Sequence, residues 1–88
     1  MTTIGGLYAR YHGQILRLAI RTSAADTWKS ELREILHQFD RDSRNLPPSC
    51  NRRLRHELGT QIEQEALRFS DANKRAVLVI ALKHFDSI

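Results

Sequence analysis

The chain has 88 residues, of which 41% are hydrophobic and 27% are charged. These fractions are close to globular averages, so they exclude a largely disordered chain, and the length predicts one domain spanning residues 1–88. Fourteen lysines and arginines against ten acidic residues give a net charge of +4, which favours acidic partners. A single cysteine, Cys50, excludes a disulfide-stapled secreted domain and predicts a reducing, cytoplasmic location.

Membrane insertion and secretion have no support in the sequence. The longest unbroken apolar run covers residues 76–82, whereas a membrane-spanning helix needs about 20 apolar residues. The first residues contain neither the basic cluster nor the apolar stretch of a signal peptide. We therefore expect no contact with a membrane.

The spacing of apolar residues predicts a first helix over residues 4–22 and a second over residues 24–44. The first helix has a main apolar face and a second ridge formed by Ala9, Leu16 and Ile20. Ser23 with Asp26 three residues later has the pattern of a capping box, which predicts the start of the second helix. In that helix, the apolar residues from Trp28 to Phe39 occupy one narrow arc.

Two further helices are predicted over residues 48–68 and 71–86. Pro47 and Pro48 end the second helix and allow the third to begin, and the fourth follows Asp71. The run at residues 76–82 is partly β-branched, so it could form a buried strand, but the chain offers no second strand to pair with it. The sequence therefore predicts an all-α single-domain bundle of three to four helices. The predicted core consists of Leu7, Tyr11, Ile15, Leu18, Trp28, Leu32, Ile35, Phe39, Leu54, Leu58, Ile62, Leu78, Leu82 and Phe85.

Residues for catalysis or cofactor binding are scarce. Cys50 has no evident base beside it, and the four glycines form no phosphate-binding loop. Glu34 and His37 have the Glu-x-x-His spacing of a metal-binding helix, but a carboxylate-bridged site needs a second such motif, and both residues lie opposite the apolar arc. We therefore predict a protein without enzymatic activity, cofactor or metal.

Arginine forms two clusters. Arg10, Arg17 and Arg21 lie within about 60° on the first helix, which contains no acidic residue, so they form a polar stripe that either binds an acidic partner or is a solvated helix edge. The second cluster surrounds the proline turn, where basic residues near a helix start oppose the helix dipole, so it either binds a phosphate or the acidic surface of a partner, or is neutralised in the fold by Glu57 and neighbouring acids. It consists of Arg41, Arg44, Arg52, Arg53 and Arg55.

Two features of the apolar helix faces predict additional contacts. Glu65 falls within the apolar arc of the third helix, so it either reaches the rim of the bundle or pairs with an arginine from another helix. The outer ridge of the first helix and the apolar fourth helix exceed what one small bundle can bury, which allows a homodimer.

Together, these features predict a small binding protein, such as an adaptor, assembly factor or inhibitor, that docks on another protein with an acidic surface through helix faces and arginine patches. The alternative is nucleic-acid binding through the first helix and the Arg41–Arg55 cluster. This alternative has less support because no zinc motif, helix-turn-helix glycine pattern or array of stacking aromatics is present.

Overall fold

The computed structural model describes residues 3–22 and 27–86, which form four α-helices and no strand. The helices are α1 (Ile4–Arg21), α2 (Trp28–Ser43), α3 (Pro48–Ala66) and α4 (Ala72–Asp86). The predicted all-α fold is confirmed, and residues 76–82 are helical. The predicted capping box at residues 23–26 lies outside the described residues. None of the described helices is both long enough and apolar enough to cross a bilayer.

Local sequence explains where three of these helices begin. The Thr3 hydroxyl accepts a hydrogen bond from the Gly6 amide at 3.0 Å at the start of α1. Asp71 does the same for α4, since its carboxylate accepts from the amides of Asn73 and Lys74 at 2.9 and 3.1 Å. The third helix begins at Pro48, where a missing amide hydrogen costs no helical hydrogen bond.

Lys74 joins the beginning of α4 to the end of α1. Its ammonium group donates to the backbone carbonyls of Ile20 at 2.5 Å and Thr22 at 3.1 Å. The carbonyls at the end of a helix lack intrahelical partners and carry partial negative charge, so a cation stabilises them. This contact anchors the beginning of α4 to the end of α1.

The four helices alternate in direction. Arg21 pairs with Glu31 at one end of the α1–α2 contact and Arg10 with Asp42 at the other, so these two helices are antiparallel. Helices α1 and α4 each pack against all three others, whereas α2 and α3 have little contact with each other. Therefore α2 and α3 lie on opposite sides of a central α1–α4 pair. A surface groove lies between α2 and α4.

The core is built on aromatic residues from three helices. The Phe39 ring packs edge-on against Tyr11 and Phe85, with centroid distances of 5.3 and 4.8 Å. Twelve of the fourteen predicted core residues are buried, whereas Ile35 and Leu82 are only partly buried. Ile35 lies at the outer edge of the α1–α2 contact, where it lines a surface groove together with Arg17 and Arg21.

Glu65 is buried, and the prediction that it reaches the rim or pairs with an arginine is wrong. Its Oε1 lies 2.6 Å from His12 Nε2 and accepts a hydrogen bond from Gln61 Nε2 at 3.0 Å. Its Oε2 is buried and has no hydrogen-bond partner in the part of the chain that the structure describes. The residue of α1 that faces Glu65 is His12, so an imidazole and not an arginine is its partner from another helix.

The outer ridge of α1 is partly exposed, as its excess of apolar residues suggested. Ile20 is 56% exposed, Leu16 is half-buried and Ala9 is exposed. Most of α4 is covered by the other helices, and its Ile80 is 41% exposed. A homodimer through these surfaces stays a prediction.

Candidate binding groove between helices α2 and α4

The arginine stripe of α1 lies beside acidic residues of α2. Arg21 Nη2 is 2.9 Å from Glu31 Oε1, and Arg10 Nη1 is 3.6 Å from Asp42 Oδ2. Arg17 is exposed and donates from Nε to the Gly13 carbonyl at 3.2 Å. The acidic residues that pair with this stripe belong to α2. They could therefore not be found by searching the sequence of α1.

Asp42 has a second partner in α1. The Tyr11 hydroxyl donates a hydrogen bond to Asp42 Oδ2. Burial and this hydrogen bond raise the pKa of Tyr11 to about 12, so the phenol stays protonated and donates at physiological pH. Asp42 is therefore committed to contacts within the bundle.

Arg55 belongs to the packing of the bundle. Its Nη2 donates to Asp40 Oδ1 at 2.8 Å, and its guanidinium lies over the Phe39 ring, 5.1 Å from the centroid. Asp40 also lies 3.0 Å from His84 Nε2, and the Arg55 side chain is only 13% exposed. A side chain held in this way contributes to the joint between α2, α3 and α4 and has little surface to offer a partner.

The other arginines of the second cluster are exposed. Arg53 makes an i,i+4 pair with Glu57 at 3.2 Å, which is weak because both side chains are solvated. Arg41, Arg44 and Arg52 have no ion-pair partner within the part of the chain that the structure describes. The predicted site therefore divides into arginines held by the fold and arginines open to a partner.

An apolar groove lies between α2 and α4. Its floor is formed by Trp28, Leu32 and Leu36, and Ile80 of α4 stands at its edge. The cavity holds about 290 Å³. That volume is at the lower limit of small-molecule pockets, about 300–1,000 Å³, so the groove suits a few side chains better than a cofactor.

A row of basic residues follows this groove along α2. Lys29, Arg33, His37 and Arg41 are exposed and stand four residues apart, so they form one continuous row, here called the α2 basic row. The first three line the apolar groove. Arg33, His37 and Arg41 also line a neighbouring depression, together with the acidic Glu34. Lys29 lies near the groove floor, with its Nζ 5.8 Å from the centre of the Trp28 ring.

Sequence reasoning missed most of the α2 basic row. Residues 23–46 contain five acidic and four basic residues, so a segment count of charge gives –1 and conceals the row. In the fold, Glu31 and Asp42 face α1, and Asp40 faces Arg55. The four-residue spacing of the basic residues beside the apolar arc was the signal that could have revealed it.

One polar atom of the groove floor lacks a partner. Trp28 is buried, and its Nε1 has no hydrogen-bond partner among residues 3–22 and 27–86. Buried donors without partners are uncommon in proteins, and each one invites a structural explanation. This donor belongs to a residue that also lines the groove.

Glu34 and His37 are both exposed, and His37 also lines the α2–α4 groove. Within residues 3–22 and 27–86, no three histidine, cysteine, aspartate or glutamate side chains come together as a metal site would require. We therefore expect purified protein to contain well under one zinc or iron ion per chain by mass spectrometry of the metal content. A stoichiometric ion, or a melting temperature lowered by chelator, would contradict this expectation.

Known proteins give no guide to function, since no protein-family model, curated protein or solved structure matches this chain. Cys50 is a free, half-buried thiol in the first turn of α3. The α2–α4 groove and its basic row are therefore the features of the molecule that indicate a function.

Proposed function

We propose that the protein is a non-enzymatic binding protein that docks on another protein through the α2–α4 groove. One observation carries the proposal: an apolar groove lies directly beside the α2 basic row, on the same face of the bundle. Protein interfaces combine an apolar centre with a polar rim and are rich in arginine and aromatic residues. The single free cysteine supports a cytoplasmic location as part of the same proposal.

The charge of this face favours an acidic protein partner. Arg33 and Arg41 contribute two positive charges, and Glu34 is the acidic residue among the described ones that line the same depression. Arg33 and Arg41 have no ion-pair partner among the described residues, so a partner carboxylate would not compete with an existing pair. Complementary charge at the rim of an interface increases the rate of association and selects among partners.

Nucleic-acid binding is a second candidate, supported by Arg41, Arg44 and Arg52 near the α2–α3 turn, which are exposed and form no ion pair with any described residue. Sequence-independent binding to single strands uses exposed aromatic rings as stacking platforms. Among the described aromatic residues none is exposed, and the half-buried Tyr8 stacks on His12 with a centroid distance of 5.6 Å. These arginines therefore provide phosphate contacts without a base-stacking surface.

Site-specific photo-crosslinking in the native host tests the proposed docking face. A photoreactive amino acid replaces Ile80 at the edge of the groove, and the control replaces Thr60, which is exposed on α3 on the opposite side of the bundle. We expect a crosslinked protein at position 80 and none of that species at position 60. Arg33→Glu should reduce the yield of the crosslink several-fold, whereas Arg68→Glu, the same charge change at an exposed residue outside the groove, should leave it intact.

Three outcomes would contradict the proposal. The first is the absence of any crosslink at position 80, and the second is equal crosslinking at both positions. The third is a crosslinked species that nuclease removes, which would favour the nucleic-acid candidate. In that case, binding to oligonucleotides should also weaken steeply as salt is raised, because phosphate contacts release counterions.

A further inference from the structure

The geometry points to a single acidic amphipathic helix as the occupant of the α2–α4 groove, an inference that depends on the proposed docking function. Helices bind in apolar grooves by placing side chains at i, i+3 or i+4, and i+7 into the floor. The floor of this groove comes from Trp28, Leu32 and Leu36, which themselves stand four residues apart along α2. A second helix lying along α2 presents side chains at the matching spacing.

The length of the basic row sets the length of the partner helix. Lys29 and Arg41 are twelve residues apart, which corresponds to about 18 Å along a helix axis at about 1.5 Å per residue. A partner helix of about three to four turns would follow the whole row. This length also agrees with the small groove volume of about 290 Å³, which accommodates the side chains of one helix face.

The charges beside the groove are one-sided. The basic row lies on α2, whereas α4 contributes Ile80 and His84 to the lining, and His84 lies 3.0 Å from Asp40. We therefore infer that the partner helix carries its carboxylates along one flank of its apolar stripe, four residues apart. Carboxylates on the face opposite the apolar stripe would point to solvent, beyond reach of Arg33 and Arg41.

Three stapled helical peptides of about 16 residues test this inference by fluorescence anisotropy with the full chain. The first places leucines on one face and glutamates on one flank, and the second has the same composition with the glutamates opposite the leucines. The third replaces the flanking glutamates with lysines. We expect the first peptide to bind about tenfold more tightly than the second, and the third not to bind measurably.

Variants identify where the peptide binds. Arg33→Glu should weaken the first peptide by about fivefold to tenfold, and Arg68→Glu by less than about twofold. Amide chemical-shift changes on adding the first peptide should cluster at Trp28, Leu32 and Ile80. Equal affinity of the first two peptides, no binding, or shift changes centred on α3 would overturn the inference.

The two proposals fail separately. A protein crosslink at Ile80 without binding of the first peptide would retain the docking face and reject a single acidic helix as its occupant. Tight binding of the first peptide to the groove without any crosslink in the host would contradict the proposed function. Preference for a single-stranded oligonucleotide over every peptide would reject both.

Discussion

Replacement of His12 with leucine should lower the free energy of unfolding by about 3 kcal/mol, measured by chemical denaturation at neutral pH. His12 Nε2 lies 2.6 Å from Glu65 Oε1, and only 11% of the Glu65 side chain is exposed. Removal of the imidazole leaves a buried carboxylate whose remaining hydrogen-bond donor, among the described residues, is Gln61. A loss of this size is a large part of the stability of a small domain, which is about 5–15 kcal/mol.

The single variant at the partner residue, Glu65→Leu, and the double variant complete a thermodynamic cycle. Glu65→Leu should cost less than His12→Leu, because the remaining imidazole is 22% exposed and reaches water. The double variant should be close to wild type in its free energy of unfolding. In the wild-type pair, the attraction between the two side chains is offset by the cost of removing them from water, and an apolar pair has no such cost. Additive losses in the double variant, or no loss for His12→Leu, would show that this contact contributes little to stability.

Replacement of Phe39 with alanine should cost about 3–5 kcal/mol and lower the melting temperature substantially. Phe39 is completely buried and touches the Tyr11 and Phe85 rings, and the Arg55 guanidinium lies over it. The substitution removes packing from three helices at once. Calorimetry or thermal circular dichroism measures the change.

Phe69 provides the matched control for this prediction. It has the same side chain but is only half-buried, in the turn between α3 and α4. Phe69→Ala should therefore cost less than half as much as Phe39→Ala. Similar losses at both positions would mean that the aromatic cluster around Phe39 is not the centre of the core.

Helix positions could be predicted closely from the sequence because their signals are local. The predicted fourth helix at residues 71–86 is observed at Ala72–Asp86, since the Asp71 cap and the apolar run are contiguous in the chain. The third helix was predicted from residue 48 because of its prolines and begins at Pro48. Burial at Ile35 and Leu82 was less accurate because helical spacing does not show how far a neighbouring helix extends.

Pairing between helices could not be predicted, because it depends on packing between residues far apart in the chain. The Arg55–Asp40 pair joins α3 to α2, and the His12–Glu65 pair joins α1 to α3. Both contacts changed the interpretation of residues that the sequence had singled out. The α2 basic row was missed for the same reason. Its positive charge becomes apparent only when it is known that acidic residues of α2 contact other helices.

The arrangement of acids and bases on α2 means that folding itself separates the charges of this segment. In the unfolded chain, Lys29, Arg33 and Arg41 are interspersed with Glu31, Asp40 and Asp42, so the segment offers no net attraction to an anionic surface. Only the folded molecule turns those three acids toward its other helices and the bases outward. An acidic partner would therefore discriminate against unfolded chains, and its binding would raise the apparent stability of the bundle by mass action.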